Sequence, residues 1–166
     1  MRASSFLPIA RADARILILG SLPGLASLKQ QQYYAHPQNA FWRIIEALYG
    51  IPAWLPYPER CLHVMQAKLA IWDVCQSAQR QGSLDSAIEK ESVIANDING
   101  LLSLCPDIAL IVFNGLAAAS LFKKHIKLNH HMETMHIQTM TLPSTSPAHA
   151  GIGFDEKLAR WKVLCT

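Results

Sequence analysis

The feature that most constrains this chain is a series of short apolar runs, each of strand length and each followed by turn residues. Residues 15–20 (RILILG), 69–74 (LAIWDV) and 108–115 (IALIVFNG) are the clearest, and residues 135–142 form a fourth candidate. A run that is apolar without alternation has no solvent face. It therefore reads as a strand buried on both sides, as in a parallel sheet covered by helices. The intervening segments have the helical period. Phe41, Ile44, Ile45 and Leu48 fall at i, i+3, i+4 and i+7 behind Asn39, a favoured N-cap, and Gly50 and Pro52 end the pattern. Residues 59–68 read as a short helix. Asn96 is expected to cap another that runs to about Leu104 before Pro106. Residues 116–125 (LAAASLFKKH) and 155–164 complete the helical set. Strands alternating with helices predict an α/β fold with a mainly parallel sheet, and a chain of 166 residues is expected to form one domain, 1–166.

In such folds ligands bind beyond the carboxyl ends of the strands. Chemistry is therefore expected in residues 21–38, 73–80, 114–116 and 143–150. The first of these reads as a loop, with Pro23, Gly24 and Pro37. Its start, GSLPG at residues 20–24, is a turn poor in side chains, where backbone can approach a ligand or where a strand simply exits. It lacks the Lys-Ser/Thr of a phosphate loop and the third glycine of a dinucleotide fingerprint. Residues 142–150 (LPSTSPAHA) place two prolines among the hydroxyls of Ser144, Thr145 and Ser146. A stiff loop of this kind suits phosphate oxygens, and it also serves as a plain turn. Residues 33–43 (YYAHPQNAFWR) crowd two tyrosines, an Asn and an Arg just beyond the first loop. Phe41 belongs to the core, whereas Tyr33, Tyr34, His36 and Asn39 belong to the loop.

Composition excludes several classes. Hydrophobic residues make up 51% and charged residues 16%, a globular balance rather than a disordered one, and the net charge of +3 is compatible with an anionic partner. No apolar run is long enough to span a bilayer, and no signal-peptide pattern precedes the first strand, so no membrane association is expected. Cys61, Cys75, Cys105 and Cys165 have no ligand spacing and read as reduced thiols of a cytoplasmic protein. His125, His130, His131 and His136 lack a metal-site pattern and read as a surface loop; no metal and no cofactor are expected. No Gly-x-Ser-x-Gly elbow is present.

Taken in order, the first apolar strand, GSLPG, AHPQNAFWR, AIWDV, IVFNG and LPSTSPA resemble the uracil-DNA glycosylase superfamily over residues 15–150. The details are most similar to its hypoxanthine-DNA glycosylase branch, related to the mismatch-specific uracil-DNA glycosylases. The resemblance implies a three-layer α/β/α fold with a central four-stranded, mainly parallel sheet. It implies a monomeric, monofunctional enzyme that hydrolyses the N-glycosidic bond of a deaminated base (hypoxanthine, with uracil as a further substrate) in DNA, without cofactor. The base is flipped into a pocket at the strand ends. A mismatch-specific uracil enzyme and a damaged-DNA-binding module without catalysis are the alternatives.

Two family positions depart from the usual pattern. The mismatch-specific relatives carry a water-orienting Asn where this chain has Leu22, and the polar residue that opens the last motif is Leu142 here. The resemblance to the hypoxanthine branch assigns the catalytic role to Asn39, whose carboxamide both accepts and donates. Tyr34 matches the position whose ring stacks on the base, so phenylalanine is expected to serve there as well as tyrosine. Ser21, Leu22 and Asn114 are expected in the base pocket. Ser144, Thr145, Ser146 and Arg43 are expected at the DNA.

Overall fold

The computed structural model describes the backbone of residues 1–166 and the side chains of all of them except Met132 and Thr134. The elements run β1 (Arg2–Ser4), β2 (Ile16–Gly20), α1 (Leu25–Gln30), α2 (Phe41–Tyr49), α3 (Tyr57–Gln66), β3 (Leu69–Asp73), β4 (Cys75–Gln79), β5 (Ile94–Ala95), α4 (Ile98–Leu104), β6 (Leu110–Asn114), α5 (Leu116–His125), α6 (His130–Thr134), β7 (Gln138–Leu142) and α7 (Phe154–Trp161). Short 3-10 turns cover Asp85–Ala87, Lys90–Ser92 and Lys162–Cys165.

The four apolar runs form one parallel sheet in the order β3-β2-β6-β7. Their side chains alternate between two buried faces. Leu17, Leu19, Ala70, Ile111 and Phe113 pack with Ile98, Leu101 and Leu102 of α4 and Ala118 and Leu121 of α5. Ile18, Leu69, Ile71 and Val112 pack on the other side with Phe41, Ile44 and Ile45 of α2, Val64 of α3 and Trp161 of α7. The result is the α/β/α sandwich with a four-stranded sheet. Both faces are covered over β3, β2 and β6, which is why those strands show no polar alternation, whereas β7 at the sheet edge leaves Gln138, Thr139 and Thr141 exposed. Each fully buried aliphatic or aromatic side chain contributes on the order of 1.5–3 kcal/mol.

The sheet register aligns the strand ends. Gly20 pairs opposite Asp73, and Asn114 opposite Leu142. Chain order reverses across β2, which pairs with β3 on one side and β6 on the other. The crevice between the diverging loops is therefore the natural ligand position.

Several boundaries differ from the sequence reading. The segment 21–38 is not all loop, because α1 forms within it and ends on Gln31 in the left-handed region (φ 54°). Asn39 is not the N-cap of α2. That position is Ala40, and Asn39 reaches past it, its Oδ1 accepting from the Phe41 N–H at 3.0 Å. Asn96 does not cap α4 either. Asp97 does, accepting from the Gly100 N–H at 2.9 Å, whereas Asn96 is buried and donates to the carbonyls of Asp73 and Cys75. Residues 75–79 form β4, the centre of a small antiparallel sheet ordered β1-β4-β5. Its strands are short and only partly apolar, so they carry little periodic signal. His125 closes α5 and His130 and His131 lie in α6, so this group is largely helical rather than a loop. Among the described residues, no three His, Cys, Asp or Glu side chains gather as metal ligands. Among the described residues, no helix is long and apolar enough to cross a membrane.

Candidate functional site

A cavity of about 390 Å³ opens at the carboxyl ends of the parallel strands. Its wall is built from the segments that follow β2, β3, β6 and β7, together with Tyr33, Tyr34, His36 and Asn39 from the stretch before α2. The structure thus gathers Ser21, Leu22, Tyr34, Asn39, Asn114, Ser144, Thr145 and Ser146 around one space. Arg43 lies outside the cavity wall. It projects from α2 and places its guanidinium 4.6 Å from the centre of the Phe154 ring on α7.

The loop after β2 is held from behind. Arg80, 1% exposed, donates through its guanidinium to the carbonyls of Leu22, Pro23 and Gly82. A buried cation that occupies three carbonyls fixes the turn and leaves Leu22 as an apolar wall. Ser21 Oγ donates to Asp85 Oδ1 at 2.5 Å, and Ser83 Oγ accepts from the Leu25 N–H. The segment 81–86 is therefore tied to the same loop.

Gly20, at the tip of β2, is required by its surroundings. A Cβ there would lie 2.7 Å from Asp73 Oδ1 and 3.1 Å from the Tyr34 hydroxyl. Asp73, at the tip of β3, is 3% exposed, and Ser5 Oγ donates to its Oδ2 at 2.8 Å. Burial, reinforced by the nearby Asp85 charge, pushes its pKa up to about 7, against the opposing pull of Ser5 and Arg80. Burial likewise raises Asp85.

Tyr34 adopts φ 56°, a left-handed conformation that costs a non-glycine residue roughly 1–2 kcal/mol. Its ring stacks on Phe41, with centroids 4.1 Å apart and planes at 29°. Its hydroxyl is buried and has no hydrogen-bond partner among the described residues. Burial and the Asp73 charge push the phenol pKa upward, while the neighbouring Asn114 carboxamide opposes them. Asn114 does not reach hydrogen-bond geometry with that oxygen. It is engaged with Thr145, its Nδ2 donating to Thr145 Oγ1 at 3.0 Å and its Oδ1 accepting from the Thr145 N–H at 2.9 Å.

That pair places the last loop. Thr145 is 1% exposed, so it joins the ends of β6 and β7 rather than facing solvent. Ser144 Oγ accepts from the Ser146 N–H, and Ser146 Oγ accepts from the Ala148 N–H. Each hydroxyl therefore keeps its own proton to donate. Behind the loop, Trp161 Nε1 donates to the Pro143 carbonyl, and Lys157 Nζ donates to the His149 carbonyl at 2.7 Å. Burial lowers the Lys157 pKa, and the positive charge of Arg43 lowers it further. Arg43 thus sits within electrostatic reach of the cation that supports the loop.

Asn39 is half-buried at the cavity wall. Its Oδ1 is oriented by the Phe41 N–H, which leaves one lone pair of that oxygen and both amide protons for a ligand. Leu25, Leu84 and Leu116 stand exposed at the cavity rim. Two participants are missing from the sequence reading, Asp73 and Asp85. Asp73 was visible as the one charged residue at the end of an otherwise apolar strand, LAIWD. Asp85 gave no signal, because it comes from a polar segment distant in sequence.

Known proteins place this geometry. Residues 8–165 match the sequence profile of the Uracil DNA glycosylase superfamily. The chain is 33% identical over 150 residues to the hypoxanthine DNA glycosylase of Methanosarcina barkeri, covering 90% of this chain and 89% of that protein. It is 34% identical over 145 residues to the hypoxanthine DNA glycosylase of Methanosarcina acetivorans, covering 87% and 86%. The solution NMR structure of a candidate uracil DNA glycosylase from Methanosarcina acetivorans superposes over 100% of both chains, with a TM-score of 0.79 and 31% identity. The match spans both the sheet that aligns the strand ends and the loops that wall the cavity, and the chain belongs to the uracil DNA glycosylase superfamily.

Proposed function

We propose that this protein is a monofunctional DNA glycosylase that releases hypoxanthine, and also uracil, from DNA as the first step of base excision repair. The observation that carries this reading is the cavity at the strand ends. It combines an aromatic ring, a carboxamide oriented by backbone and a buried carboxyl, and it is bordered by a hydroxyl-bearing loop. The two hypoxanthine DNA glycosylases of Methanosarcina support the same substrate class.

In this reading the target nucleotide leaves the stack and enters the cavity, where the Tyr34 ring lies against it. Asn39 holds a water through its free lone pair and amide protons. The water oxygen bonds to C1′ as the bond from C1′ to the base nitrogen breaks. The bonding electrons go to the base, and the water proton is released. Positioning of the water supplies much of the acceleration, and fixed dipoles around the departing base supply the rest. Leu22 and Leu142, which replace polar residues of the mismatch-specific relatives, are 6% exposed and form apolar wall. Asn39 carries the function in their place. Ser144 and Ser146 donate their free hydroxyl protons to phosphates, and Arg43 and Lys157 add positive charge beneath. Thr145 acts through Asn114 by holding the loop. The chain acts as a monomer in the cytoplasm, with residues 1–166 forming one glycosylase domain.

The test uses duplexes that differ at one position, carrying inosine, uracil or adenine. Alkali-labile sites at inosine and uracil, and none at adenine, are expected. Labile sites at uracil alone would favour the mismatch-specific alternative, and binding with no labile site would favour the non-catalytic one.

A further inference from the structure

The strained residue of the cavity wall is held from both sides. Tyr34 keeps φ 56°, a region that glycine enters freely and tyrosine does not. Such a conformation persists where its surroundings over-determine it. The two backbone angles of Tyr34 are rotations between two peptide planes, one shared with Tyr33 and one shared with Ala35. Each plane is fixed by a side chain from a different helix. Trp42 Nε1, on α2, donates to the Tyr33 carbonyl at 2.9 Å. Ser27 Oγ, on α1, accepts from the Ala35 N–H at 3.1 Å. The preceding peptide is fixed as well, because the Tyr57 hydroxyl on α3 accepts from the Tyr33 N–H at 3.0 Å.

The anchors are anchored in turn. Ser27 and Trp42 are both buried, and the Ser27 carbonyl accepts from the Gln32 N–H, so Ser27 holds the returning chain at two points. The Arg60 guanidinium lies 4.5 Å from the centre of the Trp42 ring and 5.4 Å from that of Tyr57, and it donates to the Leu55 carbonyl. Trp42, Tyr57 and Arg60 stand outside the cavity wall, whereas Tyr34 belongs to it. Phe41 stacks on one face of the Tyr34 ring, and the hydroxyl is buried beside Gly20. The ring therefore serves the cavity through its face. We propose that Ser27 and Trp42 are positioning residues that hold Tyr34 in the left-handed conformation, so that its ring stands as a preformed stacking surface before the base arrives. A surface already ordered draws nothing from the binding of the base for its own ordering. Loss of either clamp frees one of the two planes. The backbone of Tyr34 then relaxes to negative φ, which redirects its Cα–Cβ bond and takes the ring off Phe41.

This inference rests on the glycosylase reading, and two measurements separate them. The first is NMR of the free protein, which requires no DNA. Wild type should show nuclear Overhauser contacts between the Tyr34 and Phe41 rings, with Tyr34 ring protons shifted upfield by the stack. Ser27→Ala should lose both signatures, and so should Trp42→Phe, which keeps an aromatic ring on α2 and removes the indole donor. The second is single-turnover base release from an inosine duplex by wild type, Ser27→Ala, Tyr34→Ala and the double variant. Ser27→Ala alone should lower the rate by roughly tenfold or more, as misplacement of a positioning group does. In the Tyr34→Ala background, where no ring remains to be placed, the same substitution should change the rate by less than about twofold. A residue that merely supports the fold would cost the same in both backgrounds. Equal losses in the two backgrounds, or ring contacts that persist in both Ser27→Ala and Trp42→Phe, overturn the clamp and leave the glycosylase reading standing. A wild-type rate in Tyr34→Ala overturns it too. Absence of release by wild type from any lesion overturns the glycosylase reading, and the ring contacts then decide the clamp by themselves.

Discussion

Replacing Asp73 by Asn should stabilise the protein, and the gain should depend on pH in a defined direction. Asp73 is 3% exposed, and its carboxyl ionises at about 7 in the fold against an ordinary value of 3.8. Between those two values the folded state holds a proton that the unfolded chain has released. Stability at this site is therefore fully present below about pH 4 and is lost as pH rises through the folded pKa of about 7. At about 1.4 kcal/mol per pH unit, the loss reaches an upper bound of about 4 kcal/mol above pH 7. Asparagine has nearly the same shape, can still accept from Ser5 and never charges. At pH 8 the Asp73→Asn variant should melt higher than wild type by on the order of 10 °C. At pH 4.5 the difference should shrink to about 2–4 °C. Asp85, Arg80 and every other titrating group are common to both proteins, so the difference isolates Asp73. The assay is thermal unfolding by circular dichroism at closely spaced pH values. An equal gain at both pH values, or a variant that melts lower at pH 8, would refute the assignment of a buried carboxyl that destabilises the fold. The confirmed gain would also show why the residue is there. A group that weakens the fold at working pH and lines the cavity is retained for what it does in that cavity.

Three further outcomes follow from the same geometry. Asn39→Ser keeps an oxygen able to accept from the Phe41 N–H, so its melting temperature should stay near wild type, and inosine duplex binding should persist while single-turnover release falls at least a hundredfold; an unchanged rate would reduce Asn39 to a structural role. Gly20→Ala forces a Cβ to within 2.7 Å of Asp73 Oδ1, so it should abolish release while leaving the fold measurable by circular dichroism, and full activity would show that the strand-end contact is not needed. Affinity for duplex DNA should fall steeply with salt as counterions are released, by roughly one unit of log–log slope per phosphate contact, and Ser144→Ala with Ser146→Ala should weaken binding uniformly across lesions; an affinity independent of salt would remove phosphate contacts from the account.

The legible parts of the sequence were those with a strong periodic or compositional signal. Residues 15–20, 69–74 and 108–115 read as buried strands because they are almost wholly apolar and carry no alternating polar face. The helix 116–125 carries its own boundaries, Gly115 at the start (φ 98°) and a basic last turn at the end. The cavity position followed from topology alone, since parallel strands place their loops on one edge. What stayed hidden depended on contacts distant in sequence. Asn39 looks like an N-cap locally, and only the three-dimensional turn shows Ala40 in that position with Asn39 bridging to Phe41. Asn96 was misread for the same reason, because its partners are the carbonyls of Asp73 at the end of β3 and Cys75 at the start of β4. Thr145 reads as a loop hydroxyl until Asn114, 31 residues away, is seen to hold it. The small β1-β4-β5 sheet escaped because strands of three, five and two residues carry too few side chains for a pattern.

This cavity releases a deaminated base from DNA by hydrolysis. The most direct measurement is mass spectrometry of the products from an inosine-containing duplex, with the protein in excess over DNA. Free hypoxanthine is expected in an amount equal to the abasic sites formed, with strands that stay intact until alkali is added and no free adenine from the matched control. Stable binding of the inosine duplex with no free hypoxanthine, or strand cleavage without base release, would contradict it.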